Sequence, residues 1–476
     1  MAQAAQKPAL NTGDRLVTAI PLLSACDLLD RYRARSLSPT EAVDAIVAQI
    51  ERREPDLCAL YAFDPEAARR ASRESTDRWM RGEPLGPLDG VPVTIKENIA
   101  TAGVPVPLGT AATELAPAAV DAPPAARLRE TGAILLAKTT MPDYGMLSSG
   151  LSSFHKLARN PWNPRLNPGG SSAGAAAAGA AGFGPLHLGT DIGGSVRLPA
   201  GWCGLVGLKP SAGRVPIDPP FLGRVAGPMT RTIADAALMM SVLSRPDGRD
   251  GTSLPEQAIN WADLSIALRG LRIGLMLDIG AGLPLDPEVA TAVERAASLF
   301  EQAGAQVRPV MPILSRDMLD GLDDFWRVRA WDDLSRLSDE RRDRVLPYIR
   351  DWAETGAHRS GLDVIRGYNR TMEMRKGAAA LFADHDFVLS PTAPVPAYPA
   401  EWASPLHDPS RPFEHIGYTV VWNMAENPAV SVNAGFTAAG LPIGLQIVGR
   451  RFDDRGVLAM GRVWEEMRGG EMRWPV

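Results

Sequence analysis

Apolar and polar positions along the chain follow two periods, one typical of helices and one typical of strands. Residues 22–53 carry apolar side chains at helical spacing, and residues 38–41, SPTE, provide a cap and first turn. Short apolar and β-branched runs predict strands at residues 91–95, 134–137, 186–188, 271–276, 387–389 and 443–448. Because helical stretches flank most of these runs, we predict an α/β fold: a central mixed, largely parallel sheet covered by helices on both faces.

The stretch from about residue 317 to 376 differs from the rest because it is highly charged and carries only a narrow apolar stripe. The stripe has helical spacing and consists of Leu322, Phe325, Trp326, Ala330, Leu334 and Leu337. We interpret the stretch as helices that cover a site. Its stripe either faces the core or lines a substrate pocket, and the core is the simpler interpretation.

Candidate chemistry begins with residues 189–195, GTDIGGS. A serine that follows two glycines can lie on a tight turn where the backbone approaches a ligand closely. The N–H groups of Ile192, Gly193, Gly194 and Ser195 would then converge on one oxygen, as an oxyanion hole beside a nucleophile. The alternative is a strand-to-helix turn whose glycines serve only packing.

A second serine pair lies upstream in residues 169–174, GGSSAG, directly before an alanine-rich and glycine-rich run that ends near residue 182. The run predicts a tightly packed helix with a serine as its N-cap. Hydroxyls there lie at the positive end of the helix, so Ser171 or Ser172 could relay a proton to Ser195. Alternatively, both serines are only caps.

Lys96 is the candidate base, because it ends a strand-like run that starts at residue 91. Desolvation at the end of such a strand would lower the pKa of the lysine toward neutrality and let its amine accept a proton. The alternative is an ordinary solvated lysine on the surface.

Two other kinds of site are disfavoured. Residues 170–174 also fit the G-x-S-x-G nucleophile elbow, with Ser172 as nucleophile, but a proline-broken loop at residues 160–168 stands where that fold needs a strand. The six histidines show no H-x-x-H or H-E-x-x-H spacing, and the three cysteines are scattered at positions 26, 58 and 203. We therefore expect no metal and no cofactor.

The composition of the chain disfavours two classes of binding partner. The net charge is −5 and no basic block stands out, which disfavours nucleic acid and anionic membranes as partners. Residues 1–8 lack the apolar core of a signal peptide, and no apolar stretch has transmembrane length, so we expect a cytoplasmic protein. A monomer or a homodimer is expected.

Together these motifs resemble the amidase signature family of serine hydrolases, in which a lysine, a serine held by a cis peptide and a nucleophilic serine form a Ser-Ser-Lys triad. Residues 168–215 carry the central part of the resemblance, and four further pieces follow the family pattern in order, at residues 86–92, 132–139, 227–232 and 440–449. Ala173 and Ala175 depart from the commoner GGSSGGS loop. The resemblance implies a single amidase signature domain over residues 61–470, with an N-terminal helical segment, residues 1–60, packed on its core.

The resemblance also implies roles. Ser195 would be the nucleophile, Lys96 the base and Ser171 the cis-serine between them, with Gly170, Ser172 and Asp191 in support. A neutral Lys96 would draw a proton from Ser171, and Ser171 from Ser195, whose oxygen attacks the carbonyl to form an acyl-enzyme that water hydrolyses.

The substrate is predicted from the segment after the Lys-Pro element. Glutamine-handling members carry a polar Ser-Leu-Asp-Gln type of loop there, whereas residues 217–223 of this chain are mostly apolar. We therefore expect a small-molecule substrate, a neutral and apolar amide cleaved at its C–N bond. One alternative is a carbamate or an ester, since the chain is similar to urethanases of the family. Another is a partner-dependent amidotransferase component. The predicted pocket residues are Tyr144, Met146, Phe221, Leu222, Phe325 and Trp326.

Overall fold

The computed structural model describes residues 20–470 and 472–476, and within them eleven strands form one sheet. The strands are β1 (Leu60–Tyr61), β2 (Pro92–Lys96), β3 (Ile134–Thr139), β4 (Leu186–Asp191), β5 (Val206–Lys209), β6 (Val225–Thr230), β7 (Arg272–Leu275), β8 (Gln306–Pro309), β9 (Phe387–Pro391), β10 (Ala429–Phe436) and β11 (Pro442–Gly449). Residues 1–8, on which the expectation about a signal peptide rests, lie outside the described residues.

Fourteen α-helices accompany the sheet in the same part of the chain. They are α1 (Ala25–Arg33), α2 (Pro39–Leu57), α3 (Pro65–Arg81), α4 (Pro123–Glu130), α5 (Ala173–Ala180), α6 (Arg197–Cys203), α7 (Ile233–Leu243), α8 (Pro287–Gln302), α9 (Arg316–Ser335), α10 (Asp339–Arg342), α11 (Pro347–Glu354), α12 (Gly361–Asp384), α13 (Gly417–Met424) and α14 (Asp454–Met467). Short 3-10 helices lie at Ile20–Leu22, Asp143–Gly145 and Thr355–His358. None of the helices in these ranges is long and apolar enough to cross a membrane.

The strand order is β1-β3-β2-β4-β6-β5-β10-β11-β9-β7-β8, and the sheet is mixed, as the sequence predicts. Only four neighbouring pairs are parallel: β2 with β3, β2 with β4, β7 with β8 and β7 with β9. The expectation of a largely parallel sheet is therefore wrong. Five strands lie outside the runs that the hydrophobic pattern indicates, and three of them, β5, β6 and β10, pair antiparallel in the centre.

Near the N-terminus, the predicted helix over residues 22–53 is two helices, α1 and α2. The chain turns between them at Arg35, whose φ of 54° is left-handed. Ser38 then caps α2, because its side chain accepts the backbone N–H of Glu41 while the Glu41 carboxylate accepts the N–H of Ser38. The domain boundary near residue 60 stays a prediction.

The two faces of β2 have different neighbours, and Lys96 at the end of this strand lies on the face that is covered by α5. Val93 and Ile95 are buried in the core on one face, together with residues of α7, α8 and α14. Because side chains alternate along a strand, Lys96 emerges on the opposite face. There α5 packs tightly, and a Cβ on Gly174 would lie only 2.1 Å from the carbonyl oxygen of Ala59. Small residues therefore bring the serine-rich start of α5 against the sheet.

Helices α9, α11 and α12 form the cover that the charged stretch predicts. Four residues of the apolar stripe on α9 are buried in a second core: Leu322, Trp326, Ala330 and Leu334. Phe325 and Leu337 are only partly buried against it. The stripe thus faces the core for most of its length, as the simpler interpretation predicts.

Candidate active site

Lys96 lies at the end of β2 with a completely buried side chain. Its Nζ is 2.7 Å from Ser171 Oγ and 3.4 Å from the carbonyl oxygen of Thr190. Burial lowers the pKa of Lys96 to about 7, and the positive charge of Arg224 acts in the same direction. The alternative of a solvated surface lysine does not hold, and a large fraction of this amine is neutral near pH 7.

Ser171 follows a cis peptide bond, Gly170–Ser171, at the position that the resemblance implies. The backbone is crowded there, since a Cβ on Gly170 would lie 2.4 Å from the backbone nitrogen of Ser149. The next residue ties this loop to the second serine segment, because the N–H of Ser172 donates to the carbonyl oxygen of Ser195 at 3.1 Å. Ser171 and Ser195 line the same cavity.

Ser172 lies at the N-cap position of α5, but its side chain makes no cap hydrogen bond. Its hydroxyl instead donates to the carbonyl oxygen of Thr190 at 3.2 Å and accepts the N–H of Thr190 at 3.3 Å. The prediction of a serine side-chain cap is therefore wrong: Ser172 fastens the loop to β4. Its side chain is fully buried, and it does not line the cavity that holds the other two serines.

Asp191 organises the turn that carries Ser195. Its buried carboxylate accepts the N–H of Gly194 at 2.8 Å and the N–H of Val196 at 3.0 Å. It also pairs with the guanidinium of Arg197 through both oxygens, at 2.9 and 3.0 Å, and accepts from the amide of Asn423 at 2.8 Å. Burial opposes the charge, but Arg197 and these hydrogen bonds hold the pKa of Asp191 well below its usual range.

The hydrogen bonds of Asp191 show that one of the four predicted oxyanion-hole donors is already occupied. The N–H of Gly194 is taken by Asp191, so it is not free to receive an oxyanion as predicted. The N–H groups of Ile192, Gly193 and Ser195 have no acceptor among the residues that the structure describes. Gly194 itself has a φ of +128°, which residues with a side chain rarely adopt. Three backbone donors therefore remain beside the Ser195 hydroxyl.

Two cavities meet at Ser195. We call the first the aromatic cavity; its walls include Leu147, Trp326, Phe413, His415 and Ile416. We call the second the polar cavity; its walls include Asn98, Tyr144, Ser171, Thr190, Arg224 and Asp333. Both cavities are lined by Gly145, Met146, Ile192, Ser195 and Arg329. Ser195 therefore lies where the two cavities meet, and Arg224 and Asp333 line only the polar one.

Three of the predicted pocket residues line these cavities: Tyr144, Met146 and Trp326. The other three, Phe221, Leu222 and Phe325, line neither cavity. Phe221 stacks on Phe325 with ring centroids 6.4 Å apart, and the Arg329 guanidinium covers its ring at 3.9 Å. Pro219, and not Phe221 or Leu222, is the residue of this loop that lines the polar cavity, so we correct the prediction for these three residues.

Several residues of the site are missing from the sequence prediction. Arg329 could have been predicted from helical spacing. It follows Trp326, a predicted pocket residue, by three positions on α9 and so lies on the same side of that helix. Nothing in the sequence distinguishes Arg224 or Arg197 from the other arginines. No group of three or more histidine, cysteine, aspartate or glutamate side chains is arranged to hold a metal within residues 20–470 and 472–476.

The lowered pKa of Lys96 predicts the pH dependence of activity. The amine accepts a proton only when neutral, and its neutral form predominates above a pKa of about 7. We expect kcat/KM to rise with pH through this value and to level off above it. Arg224 lowers this pKa, while Asp191 and Glu97 raise it. A pH-rate profile measures the rise, and a flat profile between about pH 5 and pH 9 would contradict the role of Lys96.

Removal of the Asp191 carboxylate is expected to destabilise the fold. Asp191→Ala leaves the buried Arg197 guanidinium without its carboxylate, which typically costs about 3–5 kcal/mol of the free energy of unfolding. Asp44→Ala is a matched control, since Asp44 pairs with Arg69 at 3.0 Å on the surface and should cost less than about 1 kcal/mol. Denaturant unfolding of both variants provides the measurement. An equal loss of unfolding free energy in the two variants would show that the buried ion pair stabilises the fold no more than the surface pair does.

Comparison with known proteins agrees with this geometry. A family model described as Amidase matches residues 41–458. The chain is 33% identical to an acylamidase of Rhodococcus erythropolis over 457 residues, covering 94% of this chain and 95% of that protein. It is 35% identical to a glutamyl-tRNA(Gln) amidotransferase component of Myxococcus xanthus over 479 residues, covering 93% of this chain and 96% of that one.

A solved structure is also similar over nearly the full length. The crystal structure of a bacterial aryl acylamidase superposes with a TM-score of 0.85 at 30% sequence identity. The match covers 94% of this chain and 96% of that one. The similarity therefore extends across both serine segments and the lysine strand.

Proposed function

We propose that this chain, which belongs to the amidase signature family, hydrolyses the C–N bond of small-molecule amides through an acyl-enzyme on Ser195. The observation that carries the proposal is the 2.7 Å contact between Lys96 Nζ and Ser171 Oγ, on a cavity that Ser195 also lines. This arrangement supports a proton path from Ser195 through Ser171 to Lys96.

The proposed reaction has two halves. In the first, neutral Lys96 accepts the Ser171 proton, Ser171 accepts the Ser195 proton, and Ser195 Oγ bonds to the carbonyl carbon. The N–H groups of Ile192, Gly193 and Ser195 stabilise the negative oxygen that forms. The C–N bond then breaks as the relay returns a proton to the leaving amine. In the second half, water attacks the acyl-enzyme by the same relay and releases the acid.

For the substrate, we propose an amide with a neutral aryl or alkyl group next to the scissile bond. Trp326, Phe413 and Ile416 give the aromatic cavity beside Ser195 an apolar wall. The similarity to an acylamidase and to an aryl acylamidase supports this choice. Carbamates and esters are the alternative, because their carbonyl presents the same geometry to Ser195.

A partner-dependent amidotransferase component is the second candidate, and the 35% identity to such a protein favours it. In that case the purified chain by itself would hydrolyse simple amides only marginally, because it would need a partner chain. The loop at residues 217–223 favours the independent hydrolase, because it is mostly apolar and lacks the polar segment expected of a glutamine-handling member.

The test is aniline release by the purified chain from an aryl amide and from the corresponding aryl carbamate, with Ser195→Ala as control. Cleavage of the amide alone supports the amidase, and comparable cleavage of both supports a carbamate hydrolase. No cleavage of either compound, by a chain that is folded, favours the partner-dependent amidotransferase component.

A further inference from the structure

We propose that Arg224 and Arg329 bind a carboxylate of the substrate in the polar cavity. We further assign this carboxylate to one side of the scissile bond and an apolar group to the other. The inference rests on the proposed function and narrows its substrate class, because the sequence predicts a substrate that is neutral throughout.

Both arginines line the polar cavity, and neither forms an ion pair with a carboxylate of a described residue. Arg224 donates from Nη1 to the carbonyl oxygen of Pro219 at 2.7 Å. A guanidinium has five N–H donors, so most of those on Arg224 remain available to a ligand. Arg329 lies with its guanidinium 3.9 Å from the ring centroid of Phe221, a contact that fixes the plane of its fork.

The two guanidinium groups are also close enough to repel each other. Burial lowers the pKa of Arg224 to about 10, and the charge of Arg329 lowers it as well. Burial likewise lowers the pKa of Arg329. Partly desolvated like charges are unfavourable without an anion between or beside them. A bound carboxylate would remove this cost.

The net charge of the side chains around the polar cavity is compatible with one bound anion. Among the described residues, Asp333 is its one lining carboxylate besides Asp191, and burial raises the Asp333 pKa. Asp191 is already paired with Arg197, and Asp218, whose charge acts on Arg224, lies on an exposed segment. Apart from Lys96, whose neutral form predominates only above its pKa of about 7, two arginines and one unpaired aspartate line the cavity. The excess of one positive charge suits a monoanion.

A carboxylate fits these donors best. Guanidinium groups present a planar fork that matches the two oxygens of a carboxylate, and such pairs are often bidentate. A phosphate would bring up to two negative charges to a cavity that also contains Asp333. Because the two cavities share Ser195 but Arg224 and Asp333 line only the polar one, we assign the carboxylate to the part of the substrate across the scissile bond from the apolar group.

The test compares charged and uncharged amides. One pair is N-benzoyl-4-aminobutanoate and its primary amide, with the carboxylate on the amine side; the other is succinanilate and its primary amide, with the carboxylate on the acyl side. Benzoate or aniline release gives kcat/KM for the wild type, Arg224→Gln and Arg329→Gln. The rates are measured at about pH 9, above the Lys96 pKa of about 7, because Arg224 also lowers that pKa.

We expect the wild type to prefer the carboxylate in one pair by about tenfold or more. Each arginine variant should lose about tenfold more for that carboxylate than for its uncharged partner, mainly in KM. Arg308→Gln is the matched control, because Arg308 is exposed on the edge strand β8 and should change neither rate. Equal rates for the charged and uncharged members of both pairs would overturn the proposal. So would equal losses for both members in the arginine variants.

A binding measurement separates this inference from the proposed function. Ser195→Ala cannot form the acyl-enzyme, so calorimetric titration with the same four compounds reports binding alone. Tighter binding of a carboxylate than of its primary amide, lost in Ser195→Ala with Arg224→Gln, supports the arginine site even if the wild type cleaves none of the compounds. Equal affinities would exclude the site even if amides are cleaved.

Discussion

Ser195→Ala is expected to lower amide turnover by about 10⁴-fold or more, to the level of residual catalysis by binding and the oxyanion hole. Without Oγ no bond to the carbonyl carbon can form. The three remaining backbone donors can only polarise the substrate. The variant should also resist covalent labelling by a serine-directed phosphonate. The measurements are the steady-state rate on an aryl amide and mass spectrometry of the labelled protein.

Ser172→Ala is the matched control for this variant. Ser172 is the nucleophile that the G-x-S-x-G pattern would choose, yet its hydroxyl is fully buried and bonded to Thr190. Labelling should persist in Ser172→Ala, with a loss of rate far smaller than in Ser195→Ala. Labelling that survives in Ser195→Ala and disappears in Ser172→Ala would reverse the assignment.

Lys96→Met should slow acylation by about 10³-fold or more, because general base catalysis typically contributes 10²–10⁴-fold and the relay also holds Ser171 in place. Methionine keeps an unbranched side chain of similar length in the same buried space, so the fold should tolerate the change. Pre-steady-state release of the leaving amine measures the acylation rate directly. A rate near that of the wild type would remove Lys96 from the mechanism.

Lys138→Met provides the control, because Lys138 is also buried and its pKa is also lowered to about 7 by burial. Its Nζ contacts the carbonyl oxygen of Ile99 and, at 2.5 Å, Thr101 Oγ1, and it lines neither cavity at Ser195. We expect this variant to lose stability and to keep its acylation rate within about threefold. A comparable loss of rate would mean that burial of a lysine, and not its contact with Ser171, explains the effect of Lys96→Met.

The sequence predicts the parts of the site that depend on local pattern. The run ending at Lys96 is a strand, and the small residues after Ser172 form a packed helix. The role of a lysine depends on what lies at its Nζ. Lys209 is buried like Lys96, and burial likewise lowers its pKa to about 7, yet its Nζ donates to the carbonyl oxygen of Pro210. Residue type and pattern alone do not separate these two lysines.

The parts that could not be predicted depend on long-range contacts or on the direction of a side chain in a loop. The antiparallel centre of the sheet comes from β5, β6 and β10, and β6 contains a glycine and a proline that weaken its strand signal. Phe221 and Arg224 lie three positions apart in one apolar segment, but only the arginine lines the polar cavity. Composition of a loop does not determine which of its side chains faces the substrate.

The Arg197 guanidinium has a consequence for synthesis of the chain. Besides Asp191, it donates to the carbonyl oxygen of Thr419 and to the side chain of Gln446, which are 222 and 249 positions away. Contacts of such separation close late in folding. A ribosome-bound chain that has not yet released β11 therefore carries Lys96, Ser171 and Ser195 but lacks the Gln446 contact that helps to hold Arg197, the partner of Asp191. We expect hydrolysis to begin only after β11 has left the ribosome.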